Sequence, residues 1–227
     1  MTRIHKLSPS DLTFLWDECK RCFYLKVVRD FRRPGAPFPS IFSRIDILMK
    51  DYYQGKYTHE ISPDLPQGVI FESGKWVESE IICSPDLDVE CFIKGIFDTV
   101  LKFEDGSFAV VDFKTTVPSE ENIPFYARQL QAYAYALEHA APTRLSLKPI
   151  SHLGLLSFEP QLMDKDEVGR LTYRGPVVWQ PVAADEAAFL DFIRQVLQVL
   201  ALPEPPPAGE KCEFCNYRER TRLNPLY

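Results

Sequence analysis

The stretch GIFDTVLKFEDGSFAVVDFKTT, residues 95–116, decides the fold. Its two runs of alternating apolar and polar residues flank the dipeptide Asp105-Gly106, a pattern that is typical of an antiparallel hairpin closed by a tight turn. Side chains two residues apart share one face of a strand, so Asp112 and Lys114 emerge side by side where the second strand ends. The hairpin therefore carries a carboxylate and an ammonium group to one point.

The position of Asp98 relative to this pair depends on the turn. A loop of two or four residues places Asp98 opposite Phe113, whereas a three-residue loop with Gly106 in the left-handed conformation places it opposite Lys114. We expect the three-residue loop or an equivalent bulge. Two carboxylates and a lysine then converge on one small volume.

The residue types at this point favour metal chemistry. Asp98 and Asp112 supply hard carboxylate oxygens, which are the ligands that Mg²⁺ and Mn²⁺ take from proteins, and the backbone carbonyl of Phe113 is a further candidate ligand. Lys114 beside such a cation would hold the attacking water or stabilise the charge that develops on phosphate oxygens. The pattern predicts metal-dependent hydrolysis of phosphodiesters.

The segments around the hairpin predict helices and further strands. Apolar residues recur at helical spacing in four segments, residues 8–28, 41–53, 125–139 and 185–200. Residues 152–158 and 171–182 fit strands, whereas residues 69–83 fit a helix or a strand equally well. We therefore expect an α/β (α+β mixed) fold, in which helices flank a central mixed sheet that contains the antiparallel hairpin.

Two polar residues on the predicted helix over residues 125–139 complete the candidate site. Gln129 and Tyr133 lie four residues apart, so they share one helical face. From there they would brace Lys114 or contact a substrate phosphate. Such a pair is also typical of a half-buried polar face of a helix, so it supports the candidate site only in combination with the residues of the hairpin.

Composition and charge restrict the class of protein. The 227 residues are 45% hydrophobic and 26% charged, which is ordinary for a soluble globular protein. A net charge of −6 argues against coating nucleic acid by bulk electrostatics, although local basic clusters occur at Lys20-Arg21 and over residues 29–33 and 218–222. Signal-peptide and membrane-span patterns are absent from the sequence, so we expect a cytoplasmic location without membrane association.

The cysteines form a second group of candidate residues. Cys19-x-x-Cys22 and Cys212-x-x-Cys215 give four thiols in two pairs from opposite chain ends, and four thiolates suit structural Zn²⁺ or an iron–sulfur cluster. Metal binding by the four would clamp the tail to the first helix. The remaining two cysteines, at positions 83 and 91, fit free thiols in apolar or strand-like surroundings.

Three short motifs follow one another along the chain: Gly95-x-x-Asp98, Asp112-x-Lys114 and Gln129-x-x-x-Tyr133. Together with SPSDLTFLWDECKRCFYL near the N-terminus, they resemble the PD-(D/E)XK nuclease superfamily, in its RecB-like and CRISPR-associated exonuclease-like branch. The resemblance spans almost the whole chain. It implies a single nuclease domain over residues 1–227, with a restriction-endonuclease-like core over about 69–200 and a Cys-containing lobe that joins an N-terminal helical segment (8–60) to the tail (203–227).

The resemblance also implies roles for the candidate residues. Asp98 and Asp112 are expected to bind Mg²⁺ or Mn²⁺, Lys114 to be catalytic, and Gln129 and Tyr133 to support them. The implied activity is that of a deoxyribonuclease acting on ends or single strands in DNA repair, recombination or CRISPR adaptation, with helicases or CRISPR-adaptation proteins as partners. The alternative is a catalytically silent nuclease fold that serves as a nucleic-acid-binding or scaffold subunit.

Two parts of the family pattern are incomplete here. Relatives with a [4Fe-4S] cluster use one N-terminal cysteine and three near the C-terminus, but residues 216–224 contain no cysteine, and Thr221 stands near the expected place. A [4Fe-4S] cluster that uses Cys22, a structural Zn²⁺ and an empty site therefore remain open. Many members also carry a histidine before the sheet; His59 matches no clear motif, and Glu78 or Glu80 is the alternative third ligand.

Overall fold

The computed structural model describes residues 2–35 and 37–223. Residues 224–227 of the predicted tail lie outside the described residues, as do Met1 and Ala36. The strands are β1 (Arg3–Leu7), β2 (Gly68–Ser73), β3 (Trp76–Glu78), β4 (Ile82–Cys83), β5 (Val89–Ile96), β6 (Thr99–Phe103), β7 (Phe108–Lys114), β8 (Ile150–Phe158), β9 (Leu162–Lys165), β10 (Leu171–Arg174) and β11 (Val177–Val182). The helices are α1 (Phe14–Glu18), α2 (Lys20–Arg29), α3 (Ser40–Tyr53), α4 (Ile123–Glu138), α5 (Glu186–Leu200) and α6 (Glu213–Leu223).

The central sheet has five strands in the order β11-β8-β7-β6-β2. Strands β7 and β8 are parallel, and the other neighbours are antiparallel. A parallel pair needs a crossover connection, which α4 supplies between these two strands. A second sheet is built around β5, which pairs with β1, β3 and β4, and β9 and β10 form a separate ribbon. The predicted mixed α/β class with a helix-flanked hairpin is confirmed.

Strand β7 is buried on both faces, which explains its almost continuous run of apolar residues. Val111 and Phe113 pack on one side with Met49 and Tyr53 of α3, whereas Val110 packs on the other side with α4 and α5. The position of Asp112 in the middle of this run places its carboxylate in the interior of the protein.

The hairpin loop has three residues, as predicted, but it is centred on Asp105 instead of Gly106. Phe103 N donates a hydrogen bond to Ser107 O at 2.9 Å, so residues 104–106 form the loop, and Gly106 adopts a φ of 86°. The Asp105 carboxylate stabilises this position because it accepts hydrogen bonds from Ser107 N and Oγ at 2.9 and 2.7 Å.

This loop position shifts the strand register by two residues from the expected one. Thr99 pairs with Val111, which sets Asp98, the residue before β6, opposite Asp112. The prediction that Asp98 lies opposite Lys114 is therefore wrong. A shift of two residues keeps every side chain on its original face, so the three side chains still lie on one face of the hairpin.

The first predicted helix is interrupted at Cys19. This residue has extended backbone angles, with φ −162° and ψ 100°, and it separates α1 from α2. Cys19 and Cys22 therefore do not share one continuous helical face, as a persistent helix would require. The ambiguous segment over residues 69–83 forms strands, and β1, β9 and α6 were not expected from the sequence pattern.

The apolar residues Ile41, Ile45, Leu48 and Tyr52 recur at helical spacing and predict the buried face of α3, but the face that is buried is rotated by one residue. Met49 and Tyr53 are buried, whereas Leu48 and Tyr52 are 56% and 60% exposed. None of the helices in the part of the chain that the structure describes is long and apolar enough to cross a membrane.

Gly95 of β5 lies close to α4 and to the short 3-10 turn Pro9–Leu12. Its replacement tests this packing. A Cβ atom at this position would lie 2.8 Å from Pro9 Cδ and 3.2 Å from Tyr133 Cε1. We expect Gly95→Ala to lower the free energy of unfolding by about 1–3 kcal/mol, because overpacking forces these groups apart. Chemical denaturation measures the change, with Gly35→Ala as the control, since no described atom lies within 4 Å of a Cβ there. Equal stability of the two variants would contradict the close approach.

Candidate active site

Asp98 occupies the corner where β5 gives way to β6. Its backbone oxygen accepts a hydrogen bond from Gly74 N at 3.0 Å, and its side-chain Oδ2 accepts one from Phe113 N at 2.9 Å. The preceding residue, Phe97, is completely buried and anchors the corner in the core. These contacts fix the Asp98 carboxylate beside the end of β7.

Asp112 is the most confined group of the site, with 3% of its surface exposed. Its Oδ1 accepts a hydrogen bond from Gln129 Nε2 at 3.1 Å, whereas its buried Oδ2 is ion-paired with Lys114 but lacks a well-directed hydrogen bond. Burial raises the pKa of Asp112 to about 7; the Lys114 charge opposes this rise and the Asp98 carboxylate adds to it. The positive charge near Asp112 is therefore too small to offset the cost of burying its ionised carboxylate.

Lys114 lies between Asp112 and an aromatic ring. Its Nζ is ion-paired with the Asp112 carboxylate and stands 4.2 Å from the ring centroid of Tyr126, a cation–π contact. The side chain is 18% exposed. The ammonium group is therefore fixed in direction but still reachable from solvent.

Helix α4 directs Gln129 and Tyr133 towards the site. Gln129 donates a hydrogen bond to Asp112, the carboxylate that is ion-paired with Lys114. Tyr133 is 6% exposed, and burial raises the pKa of its hydroxyl above the usual range. The Tyr133 ring packs near Gly95, inside the protein.

The sequence pattern missed Lys50, which reaches the site from α3. Its Nζ lies 2.7 Å from Asp98 Oδ1 and 2.8 Å from Asp46 Oδ2. Burial alone would lower the pKa of Lys50, but these two carboxylates outweigh it and raise the pKa, so the ammonium form persists. In the sequence, Asp46 and Lys50 look like an ordinary ion pair on a helix surface.

The three alternative ligands lie elsewhere. His59 stacks on Tyr57 with ring centroids 5.6 Å apart. Glu78 forms ion pairs with Lys94 at 2.7 Å and Arg144 at 3.4 Å, and Glu80 is tied through its backbone to the C-terminal end of α4. From the segment before the sheet, the side chain that reaches Asp98 is that of Lys50.

The four cysteines of the two paired motifs meet in one buried group, as the sequence suggested. Their Sγ atoms lie 3.8 Å apart for Cys19 and Cys215, 3.7 Å for Cys22 and Cys212, and 3.5 Å for Cys22 and Cys215. All four sulfur atoms lie within 4.8 Å of one another. The other two cysteines are free thiols in other places, one exposed in β4 and one buried in β5. The fold thus joins the two chain ends through a set of four metal-ligating groups.

The donor set at the end of β7 fits a divalent cation. Asp112 Oδ1 accepts a hydrogen bond from Gln129, and Asp98 Oδ2 accepts one from Phe113 N. The other two oxygens, Asp112 Oδ2 and Asp98 Oδ1, are ion-paired with Lys114 and Lys50. A cation shared by these two oxygens would relieve the repulsion between the carboxylates and supply the charge that the buried Asp112 lacks.

The raised pKa of Asp112 predicts an unusual stability change in the metal-free protein. Its folded pKa of about 7 exceeds the ordinary value of 3.8, so the stability that the protonated form contributes is complete below about pH 4 and is lost as the pH rises through about 7. Asn is neutral at every pH and nearly isosteric. At pH 8, we expect Asp112→Asn to raise the Tm by about 2–4 °C for each kcal/mol by which it removes the cost of burying the ionised carboxylate. Near pH 4, where Asp112 is protonated, the Tm of the variant should equal that of the wild type.

Thermal unfolding in the presence of a chelator at both pH values measures this effect. Asp105→Asn is the matched control, because hydrogen bonds from Ser107 lower the pKa of Asp105, and its replacement should destabilise the protein at pH 8 instead. A lower Tm for Asp112→Asn than for the wild type at pH 8 would refute the charge deficit.

Comparison with known proteins agrees with this geometry. The sequence model of the PD-(D/E)XK nuclease superfamily matches residues 67–220, and a search of curated proteins finds no significant match. The solved structure described as "Crystal structure of SSO0001" is similar over 94% of this chain and 84% of its own, with a TM-score of 0.52 and 15% identity, which supports the fold alone. The chain belongs to the PD-(D/E)XK nuclease superfamily.

Proposed function

We propose that the protein is a Mg²⁺- or Mn²⁺-dependent deoxyribonuclease of the RecB-like branch that hydrolyses phosphodiesters at ends or in single strands. The observation that carries the proposal is the convergence of Asp98, Asp112 and Lys114 at the end of β7. Residues 1–227 act in this proposal as one nuclease domain, with the core over about 69–200. A catalytically silent scaffold has no use for two carboxylates and a lysine held together at a cost in stability.

Each residue has a distinct task in the proposed reaction. Asp98 Oδ1 and Asp112 Oδ2 would hold the cation, which supplies Lewis-acid activation of the phosphate and of the attacking water. The carbonyl of Phe113 faces the same strand edge as its N–H group, which binds Asp98, so it is available as a further oxygen ligand. Gln129 fixes the other oxygen of Asp112 and thereby orients the carboxylate.

Lys114 contributes positive charge where the reaction creates negative charge. Its ammonium group is held beside Asp112 and over the Tyr126 ring, yet remains partly exposed. A phosphate that enters the site would meet this group at the open end of β7. There it would stabilise the growing charge on the phosphate oxygens or orient the attacking water.

An aromatic groove beside the site supports single strands as substrates. The groove has a volume of about 630 Å³ and runs between α3 and the strands β10 and β11. Two of its lining residues are sequence neighbours of residues at the site. Met49 precedes Lys50, and Phe158 follows Ser157, which pairs with Lys114. Tyr52 and Tyr173 are 60% and 52% exposed there, and unpaired bases stack on such rings.

Basic residues from separate parts of the sequence meet around the cysteine group. Arg21, Arg218 and Arg222 line one small cavity with Cys215, and Arg32, Arg33 and Arg218 line a neighbouring one. We propose that this basic face contacts the DNA backbone despite the negative net charge of the chain. Helicases or CRISPR-adaptation proteins in the cytoplasm are the proposed partners.

Replacement of the site residues tests the activity directly. We expect Lys114→Ala and Asp112→Ala to lower the cleavage rate by about 100-fold or more, because each removes charge that acts on the transition state. The measurement is release of product from end-labelled single- and double-stranded DNA with Mg²⁺ or Mn²⁺, after circular dichroism has confirmed folding. Lys102→Ala, at the far end of the same hairpin, is the control and should cleave normally. Full activity in both site variants would reject the proposal, and DNA binding by an inactive wild type would favour the silent alternative.

Removal of Lys50 tests where the cation binds. The Lys50 ammonium neutralises Asp98 Oδ1, so a divalent cation that binds there must compete with it or be repelled by it. We expect Lys50→Ala to bind Mn²⁺ about tenfold more tightly in the absence of DNA, as measured by electron paramagnetic resonance or calorimetry. Lys56→Ala is the matched control because Lys56 pairs with Glu60. Unchanged or weaker Mn²⁺ binding in Lys50→Ala would place the cation away from Asp98.

A further inference from the structure

The two cysteine pairs share one local design. Cys19 directly precedes α2 and Cys22 lies in its first turn; Cys212 directly precedes α6 and Cys215 lies in its first turn. Both helices therefore present the positive end of the helix dipole to a pair of sulfur atoms. The helix dipoles favour thiolates, which are the form that binds metal ions, whereas burial opposes them by raising the pKa of Cys22 and Cys215.

The spacing of the sulfur atoms indicates how many ions they can share. A tetrahedral zinc centre with Zn–S bonds of about 2.3 Å holds its sulfur atoms about 3.8 Å apart. The Sγ separations of 3.5, 3.7 and 3.8 Å lie at or just below that value. The other three separations are at most 4.8 Å, so the four sulfur atoms lie close enough together to share one ion at their centre.

The same spacing does not fit the [4Fe-4S] cluster that the family resemblance implied. In such a cluster each thiolate binds a different iron, so the four sulfur atoms stand around an inorganic core and much farther apart than four ligands of one ion. Here all four lie within 4.8 Å of one another. Thr221, at the place of the missing family cysteine, donates a hydrogen bond to Arg218 O at 3.0 Å within α6.

Two donors outside the group point at the sulfur atoms. Gly209 N donates to Cys19 Sγ at 3.3 Å, and a Cβ at Gly209 would lie 2.4 Å from Glu18 O, so only glycine allows this approach. Arg33 donates to Cys212 Sγ at 3.3 Å and is itself held by Glu18 at 2.7 Å. Hydrogen bonds to ligating groups are the usual second layer of a metal site.

We infer that Cys19, Cys22, Cys212 and Cys215 bind a single Zn²⁺ ion as a structural site. Binding releases the thiol protons to solvent and forms four Zn–S bonds, which join α2 to α6. The ion thereby holds the arginines of α6 beside those of the N-terminal segment. This inference does not depend on nuclease activity.

Metal analysis of the full-length protein tests the inference. Protein expressed with both iron and zinc in the medium and purified without oxygen should contain about one Zn²⁺ per chain, no acid-labile sulfide and no visible absorption. After exchange into Co²⁺, the tetrahedral thiolate centre should give visible bands that disappear when Zn²⁺ is added. About four irons with sulfide, one iron per chain, or no metal after addition of equimolar Zn²⁺ would each overturn the assignment.

Variants separate this site from the other cysteines and from the catalytic residues. Cys22→Ser and Cys212→Ser should lose Zn²⁺ and the Co²⁺ bands, whereas Cys83→Ser, which changes an exposed free thiol, should keep both. Lys114→Ala should also keep one Zn²⁺ per chain, because it lies in the other site. If the cysteine variants fail to fold, the Co²⁺ spectrum of the wild type still decides the ligand set. Zinc retained by folded Cys22→Ser and Cys212→Ser would contradict the proposed site.

Discussion

A carboxylate buried at the end of β7 is the constraint on which the rest of the site depends. Asp112 interrupts the apolar residues of β7 two positions before the strand ends, and burial drives its pKa towards neutrality. An uncompensated charge there would cost several kcal/mol, and the fold surrounds it with Gln129 on one oxygen and Lys114 on the other. The same compensation leaves room for a cation, which is why a destabilising group can persist.

Three elements with unrelated local sequences meet around the end of β7. The hairpin delivers Asp98 through its corner, the crossover helix α4 delivers Gln129 because β7 and β8 are parallel, and α3 delivers Lys50 from the opposite face of the sheet. Each depends on packing against β7. The site therefore forms only when the whole sheet has formed, and its precision comes from the core and not from a flexible loop.

The sequence allowed the local parts of this arrangement to be predicted, but not the parts that depend on packing. The shared face of Asp112 and Lys114 follows from the two-residue period of a strand, and Asp105-Gly106 indicates a tight turn without fixing the length of its loop. The exact loop position depended on the two hydrogen bonds from Ser107 to Asp105. Lys50 could not be found from sequence, because an Asp and a Lys four residues apart are common on exposed helix surfaces.

The break in the helix at Cys19 also depends on packing and could not be predicted from the sequence. The flanking residues favour helix, but the chain turns there so that two helix ends face each other across four sulfur atoms. The spacing of the cysteines along the chain left a zinc ion and a cluster equally open, and the separations of the sulfur atoms are the observation on which we base the choice of a single ion. The tail and the N-terminal segment, which are 190 residues apart for Cys22 and Cys212, meet in this way.

The central claim is that Asp98 and Asp112 share a divalent cation. Anomalous diffraction from crystals of the wild-type protein soaked in Mn²⁺ tests it most directly. The account predicts an anomalous peak between Asp98 Oδ1 and Asp112 Oδ2, with the Lys50 ammonium displaced from Asp98. Ordered Mn²⁺ bound elsewhere, with the Lys50–Asp98 ion pair intact and no peak between the carboxylates, would contradict it.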